Sequence, residues 1–248
     1  MSTDHFSAVA AQYAQSRPTY PDELFAWLAG QCASQALAWD VGAGNGQASV
    51  ALAAHFDRVL ATDLSEEQIR EATPHPRIEY RVAPAERSGL AAGSADLVTV
   101  AQALHWFDLD AFYAEVRRVL RPSGVVAAWT YGVLSVGGAA VDGIVDHYYR
   151  EVVGPYWPAE RRHVESGYAQ LAFPFRSLSS PVFVIRRQWG LDALLGYMRS
   201  WSATARMHKA TGVDPVREVE RSLGAAWGAR DSTREVSWPI AMRVGTLR

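Results

Sequence analysis

Three glycines at alternate positions follow an acid inside the run Trp39-Asp40-Val41-Gly42-Ala43-Gly44-Asn45-Gly46-Gln47. Glycines so spaced let the chain turn with φ > 0 and let a ligand lie against bare backbone, where a buried strand gives way to a helix. The acid decides which ligand. A turn that cradles a pyrophosphate wants helix N-terminal amides and no neighbouring carboxylate, because the two anions repel. A carboxylate at the strand tip wants a cation, such as the α-ammonium of a cofactor that carries an amino acid. Asp40-x-Gly42-x-Gly44-x-Gly46 therefore points to S-adenosyl-L-methionine (SAM) rather than to a dinucleotide.

Asp63 stands one helix and one strand further on, where a carboxylate can accept both hydroxyls of a ribose. Ala85-Glu86, after a third predicted strand, can offer a backbone amide and a carboxylate near an adenine edge. Gln102-Ala103-Leu104-His105-Trp106-Phe107 is the second chemical stretch. There a buried strand runs straight into a histidine and two aromatics, where a loop ordinarily turns polar. Trp106 suits a wall that shields a sulfonium and packs on an adenosine, and His105 is the candidate base near neutral pH. A carboxylate acceptor would need no base but would need cationic clamps, for which Arg199 and Arg150 are the candidates. No histidines pair at ligand spacing and Cys32 is the only cysteine, so no metal site is expected.

The elements that must hold these residues are legible as hydrophobic periodicity. Phe6, Val9, Ala10 and Tyr13 mark one face of a first helix, and Pro21-Asp22-Glu23 opens a second. Strands are predicted at 37–41, 59–63, 78–82, 96–101 and 125–129, the fourth too uniformly apolar to have a wet face. Helices between them carry Ser65 and Asp108 as caps. Five strand-then-helix units with short loops imply a doubly wound sheet. Beyond Gly132 the pattern loosens: a helix at 141–152 with an aromatic face, an irregular segment at 154–181, a sixth strand at 182–189, helices at 191–201 and 215–227, and a last strand at 236–247. One domain over 1–248 is expected, with N-terminal helices 5–32 and insertions 133–181 and 190–212 forming a cap over the sheet's carboxyl edge.

Composition bounds the rest. With 248 residues and 49% apolar content the chain can bury a large core. A net charge of −2 argues against an electrostatic grip on nucleic acid. A single cysteine suits a reducing compartment, and the absence of a signal-like N-terminus or a bilayer-length apolar run leads to the expectation of a soluble, cytoplasmic protein. Nine tryptophans suit an aromatic pocket as well as a core.

With these residues in view, 6–201 resembles the class I SAM-dependent methyltransferases, closest to the small-molecule branch that includes trans-aconitate methyltransferase. The resemblance is carried by Tyr13…Arg17-Pro18-Thr19-Tyr20-Pro21, Asp40 to Gln47, Ala61-Thr62-Asp63-Leu64-Ser65, Gln102 to Phe107, Arg118-Val119-Leu120-Arg121-Pro122 and Tyr197 to Ala203. Ser88-Gly89 departs from the family's usual Leu-Pro. The resemblance implies an α/β fold with a Rossmann-like, seven-stranded, mostly parallel sheet and helical cap insertions. It implies a SAM site, releasing S-adenosyl-L-homocysteine, that joins Tyr13, Arg17, Ala43, Asn45, Leu64, Gln102 and Ala103 to Asp40, the three glycines, Asp63, Ala85, Glu86 and Trp106. Tyr13 and Arg17 would lie near the methionine carboxylate. Substrate contacts are expected from Tyr20, Trp129, Tyr148 and Arg199.

The expected activity is methyl transfer to a small molecule, at the oxygen of a carboxylate or hydroxyl, with a C- or N-methyltransferase of a quinone-like or secondary metabolite as the near alternative. An NAD-dependent oxidoreductase is disfavoured by Asp40 and by glycine at 46 where that fingerprint wants it at 47. A non-catalytic SAM-binding protein is the third class. Nucleic-acid methylation is disfavoured because Gln-Ala-Leu-His-Trp stands where Asn/Asp-Pro-Pro-Tyr/Phe would grip an extruded base. Neither the acceptor nor the oligomeric state is legible.

Overall fold

The computed structural model describes residues 18–247, and Tyr13, Arg17 and the first predicted helix lie outside them. Two compact units emerge, one formed by Tyr20–Gly132, Arg162–Phe183 and Pro239–Arg248, the other built on Val133–Arg161 and Val184–Trp238.

The first unit is the α/β sheet. Strands β1 (Leu37–Val41), β2 (Arg58–Asp63), β3 (Ile78–Val82), β4 (Ala95–Ala101) and β5 (Leu120–Tyr131) run parallel in the order 3-2-1-4-5, and β6 (Arg176–Leu178) and β8 (Arg234–Thr246) extend it to 3-2-1-4-5-8-6. β8 is antiparallel to β5, from Tyr131↔Ile240 to Val125↔Thr246. Among the described residues of this unit, α1 (Asp22–Gln31), α2 (Gln47–Leu52), α3 (Glu66–Arg70) and α4 (Leu109–Val119) are the helices around these strands. Their starts follow from the sequence: Ser65 accepts the Gln68 amide at 3.3 Å and Asp108 the Ala111 amide at 3.2 Å.

The period of two in β1 divides its side chains between two cores. Trp39 and Val41 join Val98, Val100, Val126 and Ala128 against Phe112, Val116 and Val119 of α4. Asp40 therefore falls on the opposite face, among side chains from β4 and α2. Each large apolar side chain so enclosed contributes about 1.5–3 kcal/mol.

Three expectations need correction. No helix joins β3 to β4, where a strand-helix unit was expected. The segment is held by a polar clasp instead: buried Glu115 of α4 accepts the Ser88 amide at 2.8 Å and the Ser88 hydroxyl at 2.6 Å, and Arg118 closes on the same carboxylate at 2.7 Å. The Ser88 that departs from the family pattern is thus a buried anchor. Next, β5 begins at Leu120 rather than 125, with a register shift against β4 that absorbs Pro122-Ser123-Gly124. Finally, 162–183 packs with the sheet unit rather than with the rest of the expected insertion, because Val164, Tyr168 and Phe175 join the core beneath Tyr113.

The second unit contains α5 (Ala139–His147), β7 (Val184–Trp189), α7 (Leu191–Arg199), α8 (Ser202–Thr211) and α9 (Val216–Trp227), whereas α6 (Arg161–Glu165) lies in the sheet unit from Arg162 on. A π-helical turn, Tyr148–Val152, follows α5 and buries two consecutive tyrosines, Tyr148 and Tyr149. Tyr148 meets Trp201 at 5.8 Å between ring centroids, and Tyr149 meets Trp157 at 5.0 Å and Trp201 at 5.6 Å. Of these two tryptophans Trp201 is buried and Trp157 half-buried. No helix among the described residues is long and apolar enough to cross a membrane.

Candidate active site

Strand order reverses between β1 and β4, so a crevice opens outside their carboxyl ends, the position where open α/β sheets bind ligands. The two chemical stretches read from sequence follow these two strands, and they touch. A Cβ built on Gly42 would stand 2.5 Å from the Ala103 Cβ and 3.2 Å from the Phe107 ring. Gly42, Gly44 and Gly46 all take left-handed φ, at +65°, +56° and +86°. Gly46 is roofed by Tyr80, whose hydroxyl oxygen would lie 2.5 Å from an added Cβ. Gly44 is more open, with only the Gln68 Oε1 at 3.4 Å. The bare backbone is thus needed for packing at Gly42 and Gly46. At Gly44 it is left available to a ligand.

Asp40 is placed differently from the expectation of an open strand tip. It lies inside β1, in register with Ala61 on one side and Thr99 on the other, and is fully buried. Ser49 donates to Oδ2 at 2.6 Å and Thr99 to Oδ1 at 2.8 Å. Burial pushes its carboxyl up to about 6; the two hydroxyls pull the other way, and the nearby Asp63 charge adds to the rise. The carboxylate keeps unused lone pairs.

Asp63, at the tip of β2, clasps the loop: Oδ2 accepts the Gly44 amide and Oδ1 the Ser65 amide, both at 2.8 Å. It is half-buried, and Leu64 beside it is 76% exposed, as is Val82 at 47% on the tip of β3. A carboxylate flanked by bare apolar surface fits a ribose carrying a flat base. Ala43 is tied to β2 through Thr62, Asn45 is half-buried in the loop, Ala85 is buried and Glu86 partly so. The donor set and the glycine cradle together fit an adenosyl cofactor.

Gln102 has φ +60°, a conformation costing a non-glycine residue about 1–3 kcal/mol. It is held there by three bonds to β5: its amide to the Trp129 carbonyl at 2.9 Å, its side-chain amide to the Tyr131 carbonyl at 3.1 Å, and Thr130 donating to its Oε1 at 2.5 Å. This bend throws Leu104–Trp106 into a short 3-10 turn. Trp106 is 58% exposed and its ring lies 4.8 Å from that of half-buried His105. His105 Nδ1 meets the Tyr168 hydroxyl at 3.0 Å. Sequence reasoning missed Tyr168, which falls in the irregular 154–181 segment with no periodicity to single it out. It missed Ser49 and Thr99 as well, since neither is distinguishable from an ordinary helix or strand residue.

Of the expected substrate residues, Tyr20 packs edge-on against Trp129 at 5.5 Å, with Phe25 and Tyr131 nearby. Trp129 is fully buried, and its indole N–H has no hydrogen-bond partner among the described residues. Tyr148 and Arg199 belong to the other unit. Tyr148 is fully buried, its hydroxyl against Thr204 at 3.0 Å. Arg199 is already paired with Asp214 at 3.2 Å and Glu220 at 3.3 Å, and Arg150 with Asp146 at 2.7 Å. Two carboxylates of its own unit thus flank Arg199.

Residues 39–128, from β1 through β5, match the methyltransferase domain family. A Dictyostelium discoideum protein assigned as a methyltransferase is 34% identical over 245 residues, covering 96% of this chain and 93% of its own. A solved structure from Anaeromyxobacter dehalogenans, assigned as a type II methyltransferase, is 49% identical, with a TM-score of 0.88 over 93% of this chain and 98% of that one. A methyltransferase of Aspergillus candidus is 29% identical over 206 residues, covering 73% of this chain and 63% of the fungal protein.

Proposed function

This chain belongs to the SAM-dependent methyltransferases, and from that premise we propose that it methylates a small molecule at a hydroxyl oxygen, with His105 as the base. The observation that carries the reading is the position of His105 on the turn after β4, whose Ala103 and Phe107 abut Gly42, with its ring 4.8 Å from that of exposed Trp106. SAM supplies an already activated methyl, so the transfer is a displacement at carbon. What remains for the protein is alignment, worth about 7–11 kcal/mol when complete, and removal of the acceptor's proton.

Asp63 and the Gly42–Gly46 loop hold the adenosyl portion, with Leu64 against the base. Asp40, stiffened by Ser49 and Thr99, sets a negative field behind the loop for an α-ammonium. Trp106 covers the site, and Tyr20 and Trp129 bound the acceptor side at the end of β5. A hydroxyl acceptor is preferred to a carboxylate because a hydroxyl arrives protonated and needs a base, which His105 can supply. The carboxylate reading needs a clamp, and both arginines considered for it carry carboxylate partners.

The test is methyl transfer from labelled SAM into a metabolite extract, with the product then treated with alkali. Label that stays on an ether supports hydroxyl methylation. Label released as methanol identifies a carboxylate ester, and label on carbon or nitrogen moves the acceptor class; either result sinks the hydroxyl reading. Titration with SAM against NADH separates the whole scheme from a dinucleotide site.

A further inference from the structure

Strand β3, Ile78-Glu79-Tyr80-Arg81-Val82, ends the sheet and pairs with β2 on one side only. Its hydrogen-bonding groups alternate in direction. The Arg77 carbonyl accepts the Val59 amide at 2.8 Å and the Ala83 amide donates to the Asp63 carbonyl at 3.0 Å, so residues 77, 79, 81 and 83 face β2. Ile78, Tyr80 and Val82 direct theirs away from the sheet. The Ile78 amide turns back to the His75 carbonyl at 3.0 Å, while the Tyr80 and Val82 amides and the carbonyls of all three have no partner among the described residues. No helix between β3 and β4 shields this edge, and a groove of about 420 Å³ lined by Leu60, Glu79, Arg81 and Leu90 opens beside it.

Proteins ordinarily blunt such an edge with proline, a bulge or charge. β3 has no proline and keeps an unbroken register against β2, which leaves Glu79 and Arg81 as its defence. The two share one face and bond to each other, and Arg81 is also tied to the Ser88 carbonyl at 2.8 Å. Charges so placed resist a strand that lacks matching ones, yet they fit a reversed copy of themselves. Laid antiparallel about Tyr80, the strand sets Glu79 against the partner's Arg81, Arg81 against the partner's Glu79, and Ile78 against the partner's Val82. A slip of two residues either way sets Arg81 against the partner's Arg81 or Glu79 against the partner's Glu79. In-register parallel pairing repeats like against like at every position.

We propose that β3 is a docking strand for a second copy of this chain, joining two protomers about a two-fold axis in one antiparallel seam centred on Tyr80. The outward-facing groups are the ones this register uses. Tyr80 and the partner's Tyr80 exchange both amide-to-carbonyl bonds, and the Val82 amide donates to the carbonyl of the partner's Ile78. Glu79 and the partner's Arg81 fall at a non-hydrogen-bonded position, where facing Cα atoms stand about 4.5 Å apart and side chains are closest. The bond between Glu79 and Arg81 within each strand is kept, so four alternating charges close a ring over the seam.

Sedimentation of the full chain at rising concentration reads the dimer, and hydrogen exchange of the Tyr80 and Val82 amides locates it. The expected result is a reversible monomer–dimer equilibrium within about 1–300 μM, as a short seam implies, with both amides protected in step with dimer formation. Glu79→Arg should weaken association about tenfold, because arginine then faces arginine across the seam, and Glu79→Arg/Arg81→Glu should restore most of it. Glu79 is exposed, so its replacement leaves the fold intact, which circular dichroism checks. A chain monomeric throughout that range, or a dimer indifferent to Glu79→Arg, overturns the proposal.

The register has a separate test. Glu79→Cys and Arg81→Cys proteins, mixed and mildly oxidised, should cross-link to each other faster than either does alone. Cys32 stays out of the reaction, since it is buried and burial pushes its thiol up to about 12. Cross-linking no faster in the mixture than in the separate proteins overturns the pairing about Tyr80. Should Arg81→Cys not fold, the response to Glu79→Arg decides alone.

Discussion

Gly42 and Ala103 are packed so closely that a methyl on the first would stand 2.5 Å from the methyl of the second. The cofactor loop and the histidine loop are thereby one construction, and the glycine is required for the joint as much as for the ligand. Gly42→Ala adds a left-handed alanine and an overlap with the Ala103 Cβ and the Phe107 ring, each worth about 1–3 kcal/mol. The unliganded variant should unfold at lower urea and lose SAM affinity more than tenfold. Gly44→Ala meets only the Gln68 Oε1 at 3.4 Å, so it should keep more of its stability while losing SAM affinity, as urea melts with and without SAM would show.

Asp40 gives a pH signature. Its carboxyl is pushed up to about 6 from 3.8, so the folded state holds the proton more tightly than the unfolded chain. The resulting stabilisation is complete below about pH 4 and is lost as pH rises through 6. Asp40→Asn lacks that loss, so its melting temperature should gain on the native protein's between pH 4 and 7. A parallel pH series of melts checks this, and parallel curves would contradict it. SAM brings a cation toward the ionised form, so its affinity for the native protein should rise with pH to about 6 and then level.

Glu115 runs the opposite way. Arg118 first, then Ser88 through its hydroxyl and amide, hold its carboxyl down at about 2, from 4.5. Stability from this group is present above about pH 4.5 and is lost as pH falls toward 2. Glu115→Gln should flatten acid unfolding in that window, and Ser88→Ala should cost about 1–3 kcal/mol at neutral pH, read from denaturant melts.

Two buried tryptophans differ in one bond. Trp39 donates its indole N–H to Thr62 at 3.0 Å, whereas that of Trp129 has no partner among the described residues. Replacing each by phenylalanine removes the same volume, but only Trp39→Phe strands an acceptor and forfeits a made bond. Trp39→Phe should therefore be the more destabilising by about 1 kcal/mol, with Trp129→Phe instead revealed in the KM for the acceptor once one is found.

What the sequence determined is local. Alternate glycines after an acid, a helix cap at Ser65 or Asp108, and uniformly apolar strands are dictated by φ, by unsatisfied amides and by burial on both faces, so the parallel sheet and its two functional loops could be placed from residue order. Tertiary structure decided what depends on a neighbour distant in the chain. Strand pleat and register turned Asp40 from an exposed tip into a sealed carboxyl between Ser49 and Thr99. The Glu115–Ser88 clasp replaced an expected helix, Asp214 and Glu220 claimed Arg199, and a strained turn with no periodicity of its own brought Tyr168 to His105. Each of these rests on contacts between segments that share no local pattern, and only the folded chain brings them within bonding distance.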